Sequence, residues 1–361
     1  MPKAPIRVGF IGLNPDSHWA AAAHLPALRS LSDEFEVVGV ANSTPESAQR
    51  TAQALGLKHA FASSADLVYS PEVDLVVVTV KVPHHEQLVT LALDAGKHVH
   101  CEWPLGNGLE EAEKLADLAE SKGVVATVGT QARVAPEVLY LAQLIREGYV
   151  GEVLSTSIVA SGANWADRTS AELAYLYDCA TGATMLTIPM GHLLAALRDV
   201  LGEVKHVKAH LQIRRPLVTI EETGTTFERT AADQIMVSGQ LESGAALSLH
   251  YRGGMSRGTN LLWEINGSEG DIQVTGAHGH AQMVQLSIRG ARGEQRELQP
   301  LVPPDSAYAG LPADLPARNV AAVYARVAND IRRGTRTAPS FRDAVGLHRL
   351  LDQIELAARL P

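Results

Sequence analysis

Ile6-Arg7-Val8-Gly9-Phe10-Ile11-Gly12-Leu13-Asn14 is a short apolar run that closes on a glycine. A strand buried on both faces of a parallel sheet reads this way, because helices cover both sides and no alternation is needed. Working outward, residues 19–31 have helical spacing and 35–41 form the next apolar run. Thr44 caps a helix that carries Pro45 at its first position and stops at Gly56. Residues 74–80 are the strongest strand of the chain, followed by a helix over 85–94, a strand over 98–102, a helix over 109–121 and a strand over 124–128. Alternation of this kind predicts a doubly wound parallel sheet with right-handed crossovers.

Beyond Gly151 strands dominate, over 153–161, 204–213, 233–241, 245–251, 261–265, 271–275 and 284–288. Turn chemistry such as Glu242-Ser243-Gly244 joins several of them, and one helix over 184–201 interrupts the series. The pattern predicts a C-terminal α/β domain with an open, mainly antiparallel sheet. A Pro-rich stretch, 301–316, precedes two closing helices over 318–333 and 341–360. The expected division is a parallel-sheet domain over 1–130, which the later motifs read as dinucleotide-binding, an open-sheet domain over 131–335, which they read as the substrate and oligomerisation domain, and a C-terminal helix within 336–361 that packs back on the first domain. A chain of 361 residues accommodates two such domains.

The charge balance, 31 Lys+Arg against 40 Asp+Glu, gives a net charge of −9. That argues against nucleic acid or an anionic membrane as the main partner, since both select basic surfaces. Two cysteines, Cys101 and Cys179, exclude a disulfide scaffold and favour a reducing compartment. No apolar run reaches the length of a membrane span, and no charged n-region leads into an apolar one, so a cytoplasmic protein is expected.

A dinucleotide fingerprint needs glycines for the tight turn and for close approach of the pyrophosphate to a helix N-terminus. Gly12 fits this role, whereas Asn14 stands where a second glycine is usual. The next parallel strand ends Ala41-Asn42-Ser43-Thr44 without the carboxylate that holds the ribose 2′-hydroxyl of NAD. Ser43 and Thr44, with Arg50 as a more remote partner, therefore point to NADP in preference to NAD. Thr44 is equally explained as an ordinary helix cap.

Ala95-Gly96-Lys97-His98-Val99-His100-Cys101-Glu102-Trp103-Pro104 resembles the A-G-K-H-V-x-x-E-K-P signature of the Gfo/Idh/MocA oxidoreductases, and Thr337-Ala338-Pro339-Ser340-Phe341-Arg342-Asp343-Ala344 resembles that family's closing segment. Trp19-Ala20, His24-Leu25-Pro26-Ala27, Tyr177-Asp178, Gly182 and Gly191-His192 are similar to the branch of the yeast galactose-pathway co-repressor. The resemblance implies a nicotinamide cofactor held by Gly12, Leu13, Asn14, Ser17, Trp19, Val80, Lys81, His85, Glu102, Trp103 and Gln131, besides Ser43 and Thr44. It implies an N-terminal Rossmann domain followed by an α/β domain whose open sheet carries substrate and subunit contacts, and either a dehydrogenase or a cofactor-sensing regulator that binds a protein partner. Two departures bear on that choice. The signature lysine is replaced by Trp103, whose indole N–H donates a hydrogen bond but exchanges no proton at neutral pH. The aspartate that orients the family's histidine becomes Ile188, four residues before His192, and Pro189 interrupts the helix between them.

Hydride transfer is the cofactor's chemistry, and the protein must supply position and a proton. His192 is the first candidate for acid and base, because imidazole titrates near neutrality. Lys81 is the second, at the carboxyl end of the strongest parallel strand, where burial would lower its pKa. Tyr177 and Asp178 are further catalytic candidates as donor and orienting acid. Trp103, Trp165 and His192 are candidates for substrate contact. His98 and His100 alternate on one strand face, but no third ligand is evident, so no metal is expected. The expected protein is a homo-oligomer, dimer or tetramer, acting on a carbonyl or secondary alcohol such as a sugar or bulky ketone. A lyase or hydrolase with transient redox of its cofactor is a third reading.

Overall fold

The computed structural model describes residues 4–16 and 19–360. The chain forms two compact units, Met1–Gln131 with Gly310–His348, and Ala132–Ala309 with Arg349–Pro361. The segment 310–335, which the sequence reading assigns to the second domain, thus belongs largely with the first. Its helix Leu315–Arg333 explains why. Tyr324 is fully buried there, edge-on to Phe35 at 5.5 Å and to His24 at 5.8 Å, both of which lie in the first unit. Burying a side chain of that size contributes roughly 1.5–3 kcal/mol.

The first unit carries a six-stranded sheet of β1 (Ile6–Ile11), β2 (Phe35–Ala41), β3 (His59–Ala60), β4 (Leu75–Val78), β5 (His98–Cys101) and β6 (Ala126–Val128). Its order is β3-β2-β1-β4-β5-β6, and every pairing between these strands is parallel. All four residues of β4 are buried, as expected for a strand covered on both faces. The expected helix over 19–31 forms as a π-helical turn, Ala20–His24, that continues into an α-helix, Leu25–Ser30. The expected cap at Thr44 and the Gly56 stop are as read: the Thr44 hydroxyl accepts the Ser47 N–H at 3.2 Å and Gly56 has φ +67°.

The second unit contains an eight-stranded, mixed and mainly antiparallel sheet. Val153–Gly162 lies inside it, antiparallel to Leu261–Gly267 and parallel to Ala246–Gly253. Burial alternates along Gln234–Leu241 and Ala246–Gly253, so one face forms the core and the other is polar. A three-stranded sheet of Arg168–Thr169, Leu217–Ile220 and Thr226–Glu228 is an addition that the sequence did not announce. The helix expected over 184–201 begins at Pro189, where the missing N–H costs nothing, so Pro189 starts it instead of kinking it.

Candidate functional site

In the first unit the strand order reverses between β1 and β4. Ligands of open α/β sheets bind at such a switch point, outside the carboxyl ends of the strands. The two strand ends are tied there: Thr79 Oγ1 donates to the Gly12 carbonyl at 3.0 Å, and the Gly12 N–H donates to Ala41 O. Gly12 has φ +95°, and a Cβ on it would lie 2.5 Å from Val80 Cγ1 and 3.2 Å from the Val80 backbone nitrogen. Only glycine allows that close approach. Leu13 is fully buried, and its carbonyl accepts the Thr51 hydroxyl. The exposed Asn14 turns the loop by accepting the Asp16 N–H at 3.0 Å. Ser17 lies outside the described residues. At the far side of the unit's sheet, Thr130 Oγ1 and Gln131 Oε1 are buried with no hydrogen-bond partner among the described residues. A glycine cradle together with two orphaned acceptors fits a polar nucleotide, and Gly12, Leu13, Asn14 and Gln131 are the residues that would hold it.

The end of β2 presents Ser43, Thr44 and Arg50, all exposed. Asn42 is occupied, its Nδ2 donating to Ser47 and Thr51 hydroxyls at 3.2 and 3.1 Å. Thr44 spends its side-chain acceptor on the helix cap.

The signature segment is more inward-looking than its resemblance implies. Glu102 Oε2 accepts the Trp19 indole N–H at 2.5 Å, and Glu102 Oε1 lies 3.1 Å from His24 Nε2 and 3.8 Å from His100 Nε2. Gly129 leaves the room, because a Cβ there would sit 2.4 Å from Glu102 Oε1. Burial opposes ionisation of Glu102, but the nearby His24 and His100 outweigh it, His24 at hydrogen-bond distance, and hold its pKa well below the usual carboxylate range. Trp19 and Glu102 are therefore joined to each other. Trp103 is buried, with its ring 4.7 Å from that of His348. His85 is buried too, with Nδ1 at 2.8 Å from Pro104 O and Nε2 at 2.9 Å from Val80 O. Burial lowers the His85 pKa, so the neutral ring carries one N–H and donates to one of these two carbonyls. His85 thus packs between the Val80 and Pro104 segments, buried away from the expected cofactor contact. Lys81 follows Val80 and is exposed, so the structure does not supply the desolvation expected of it.

In the second unit, His192 is buried on the helix Pro189–Leu201, its N–H bonded to Ile188 O at 3.0 Å. His280 was not anticipated. Its ring is stacked on Trp165 at 5.7 Å and 27°, and its Nε2 accepts the Ala163 N–H at 3.3 Å. Burial, then the charges of His278 and His192, push its pKa down to about 3, so it is a neutral imidazole whose proton sits on Nδ1. Trp165 is 1% exposed with φ +65°, a costly conformation for so large a residue. It is held from all sides: its N–H bonds Tyr177 Oη at 3.0 Å, its indole N–H bonds Leu176 O at 2.9 Å, and its carbonyl accepts Arg229 Nη2 at 3.0 Å. Arg229 is itself buried against Asp233 at 3.2 Å. Tyr177 donates its hydroxyl to Arg168 O at 3.2 Å, and exposed Asp178 accepts from Ala180 N and Thr230 Oγ1. These partners correct one catalytic expectation, that of Tyr177. Tyr177 braces the Trp165 loop with its hydroxyl both accepting and donating, and Asp178 Oδ1 braces the neighbouring turn. The indole N–H of Trp165 is spent as well, and one ring face is covered by His280.

A cavity of about 380 Å³ lies elsewhere in the first unit, between Val125, Thr127, Ser340 and Arg342. Of its charged lining residues, Arg342 pairs with Asp117 and Glu120, and Asp343 accepts from Ser340. The switch point is the better candidate on chemical grounds. Among the described residues no helix is long and apolar enough to cross a membrane.

Two family models match the chain: an oxidoreductase family with an NAD-binding Rossmann fold over residues 6–130, and the C-terminal domain of Gal80p over residues 136–276. The galactose/lactose metabolism regulatory protein GAL80 of Kluyveromyces lactis is 29% identical over 305 residues, which span 79% of this chain and 66% of that protein. The dehydrogenase aclE of Aspergillus oryzae is 32% identical over 282 residues, 75% of this chain and 77% of the relative. Among solved structures, a super-repressor mutant of Gal80p from Saccharomyces cerevisiae superposes with a TM-score of 0.88 at 24% identity, covering 98% of this chain and 96% of the other. Sequence signature, sheet order and these matches agree that the chain belongs to the Gfo/Idh/MocA oxidoreductase family, with a Gal80p-like C-terminal domain.

Proposed function

We propose that this chain is an NADP-preferring oxidoreductase acting on a carbonyl or secondary alcohol of a sugar or bulky ketone. The observation that carries the reading is the glycine cradle at the switch point, where Gly12 faces Val80 with no room for a side chain. A bound nicotinamide supplies or accepts the hydride. The exposed Ser43 and Thr44 support a 2′-phosphate, since the strand end 41–44 lacks the carboxylate that favours a free 2′-hydroxyl. In place of the lost signature lysine, two groups remain to hand a proton to the substrate oxygen: the Lys81 ammonium and the His192 imidazole. Trp103 shapes the apolar wall, while the buried Trp165 and His280 stiffen their own loop. The protein works as a homo-oligomer in the cytoplasm.

A second reading, a cofactor-sensing regulator without turnover, is favoured by one observation: the signature position carries a buried indole packed on His348, not an amine. The two readings separate in one assay. Cofactor-linked turnover is measured over a panel of sugars, ketones and secondary alcohols, with Lys81→Ala and His192→Ala alongside the parent. The oxidoreductase reading expects turnover that falls at least about a hundredfold in one of the variants, the usual scale of acid–base catalysis. Turnover equal in parent and both variants removes these residues from the chemistry. Tight cofactor binding with no turnover across the panel establishes the regulator.

A further inference from the structure

We propose that His24, His100 and Glu102 form a buried binding site for a divalent transition ion of the zinc class. Three separate elements each deliver one donor: the π-helical turn after β1, strand β5, and the segment that follows it. His24, His100 and Glu102 place their donor atoms all within 4.8 Å of one another. Zinc bonds of ~2.0–2.1 Å in a tetrahedron set donors ~3.4 Å apart. The measured separations from Glu102 Oε1, 3.1 Å to His24 Nε2 and 3.8 Å to His100 Nε2, fall on either side of that value.

The outer contacts favour the same assignment. His24 Nδ1 lies 2.7 Å from Tyr324 Oη, and His100 Nδ1 lies 3.0 Å from Thr127 Oγ1. A ligating histidine gives its other ring N–H to a neighbouring oxygen in this manner, which fixes its tautomer and its angle. In the tautomer with both Nδ1 atoms donating, two Nε2 lone pairs and a carboxylate oxygen converge on one point, the arrangement a cation takes. A proton on His24 Nε2 reaches Oε1 but does not serve His100, whose 3.8 Å separation exceeds a hydrogen bond. A metal ion serves all three. Glu102 Oε2 is occupied by Trp19, so Oε1 is the oxygen left to bind, and Gly129 keeps the space beside it open. His24 is 0% and His100 1% exposed, so exchange with solvent is restricted. Two nitrogens and one carboxylate oxygen suit zinc better than the hard cations, which prefer all-oxygen shells. Such an ion would tie the turn after β1 to β5 and fix the height of Trp19.

Full-length protein, stripped with chelator and carrying Cys179→Ser to silence the exposed thiol, is titrated with Co²⁺ as an optical probe and with Zn²⁺ in competition against a chromophoric chelator. One equivalent with visible d–d absorption is expected, displaced by Zn²⁺, together with a rise in melting temperature on Zn²⁺ addition. His100→Gln and Glu102→Gln should each weaken binding by at least about tenfold and abolish the melting shift. The two variants are read independently, so loss of fold in one leaves the other decisive, and the parent's stoichiometry stands without either. No stoichiometric binding by the parent, or equal affinity in a folded variant, overturns the site and leaves a hydrogen-bond cluster held by a proton.

Discussion

Gly12 is the single residue on which the nucleotide reading rests most directly. Its φ of +95° is accessible to glycine and strained for others, and a methyl group there would meet Val80 Cγ1 at 2.5 Å and the Thr79 carbonyl carbon at 3.3 Å. A flexible side-chain tip could yield, but backbone on the same side cannot. Gly12→Ala is therefore expected to destabilise the protein by about 1–3 kcal/mol and to weaken nicotinamide nucleotide binding at least about tenfold. Urea unfolding gives the first quantity and a fluorescence titration the second. Unchanged nucleotide affinity in the alanine variant would show that the cofactor does not approach this turn. The signature glutamate and tryptophan tell a related story. Their residue types were legible in the sequence, but their partners were not. His24 and Tyr324 reach Glu102 from 78 and, through His24, a further 300 positions away. Short-range spacing carries no trace of such a contact.

The helix Phe341–Arg359 shows how one element can make stability depend on acid. His348 is 3% exposed, lies against Trp103, and its Nε2 has no hydrogen-bond partner among the described residues. Burial pushes its pKa down to about 4 from an ordinary value of 6.5. A neutral form favoured by folding contributes stability that is fully present above pH 6.5 and is lost as the pH falls through about 4. The gap between those values corresponds to about 3 kcal/mol. His348→Phe keeps the ring and removes the proton site. Urea unfolding at pH 7 and pH 4.5 should show the parent losing more stability than the variant, by about 2 kcal/mol. Equal losses would mean that the ring is already protonated or solvated at the lower pH. Other buried histidines contribute their own slopes, so the difference between the two proteins is the quantity to read. At this scale the sequence was informative where periodicity is strong. Strands of the parallel sheet and the capped helix Pro45–Leu55 stand where apolar runs, Thr44 and Gly56 put them. The last long strand was expected over 284–288 but forms at Ser287–Arg292, because the turn residues before it do not fix register. The short helix Ser64–Tyr69 and the helix Pro136–Arg146 were not anticipated at all. The first is too short for a periodic signal, and the second sits where the pattern changes from one domain to the next. Tyr177 and His85 misled for a different reason. Residue type advertised chemistry, while the hydrogen bonds that consume it come from chain segments the sequence could not place beside them.

For the whole molecule, the net charge of −9 sets a test of how the nucleotide is recognised. A protein that captures a polyanion with a basic field loses affinity steeply as salt is added. This chain has the opposite field, so its long-range contribution to nucleotide capture is repulsive. Recognition must then come from short-range groups: the cradle at Gly12, the polar end of β2 and the orphaned Thr130 and Gln131 acceptors. Those interactions act well within the Debye length, which shrinks from ~30 Å at 0.01 M to ~8 Å at 0.15 M. Raising salt over that range is expected to change the NADPH dissociation constant by less than about threefold, with an association rate that rises as the repulsion is screened. NADH measured in parallel should bind more weakly throughout, because the neutral Ser43 and Thr44 lack the carboxylate that favours a free 2′-hydroxyl. Stopped-flow and equilibrium fluorescence titrations on the same preparation give both numbers. Tighter NADH binding would reverse the cofactor preference while leaving the cradle intact. An affinity for NADPH that collapses tenfold or more with salt would instead place a cationic cluster, built around side chains such as Arg50, at the centre of recognition.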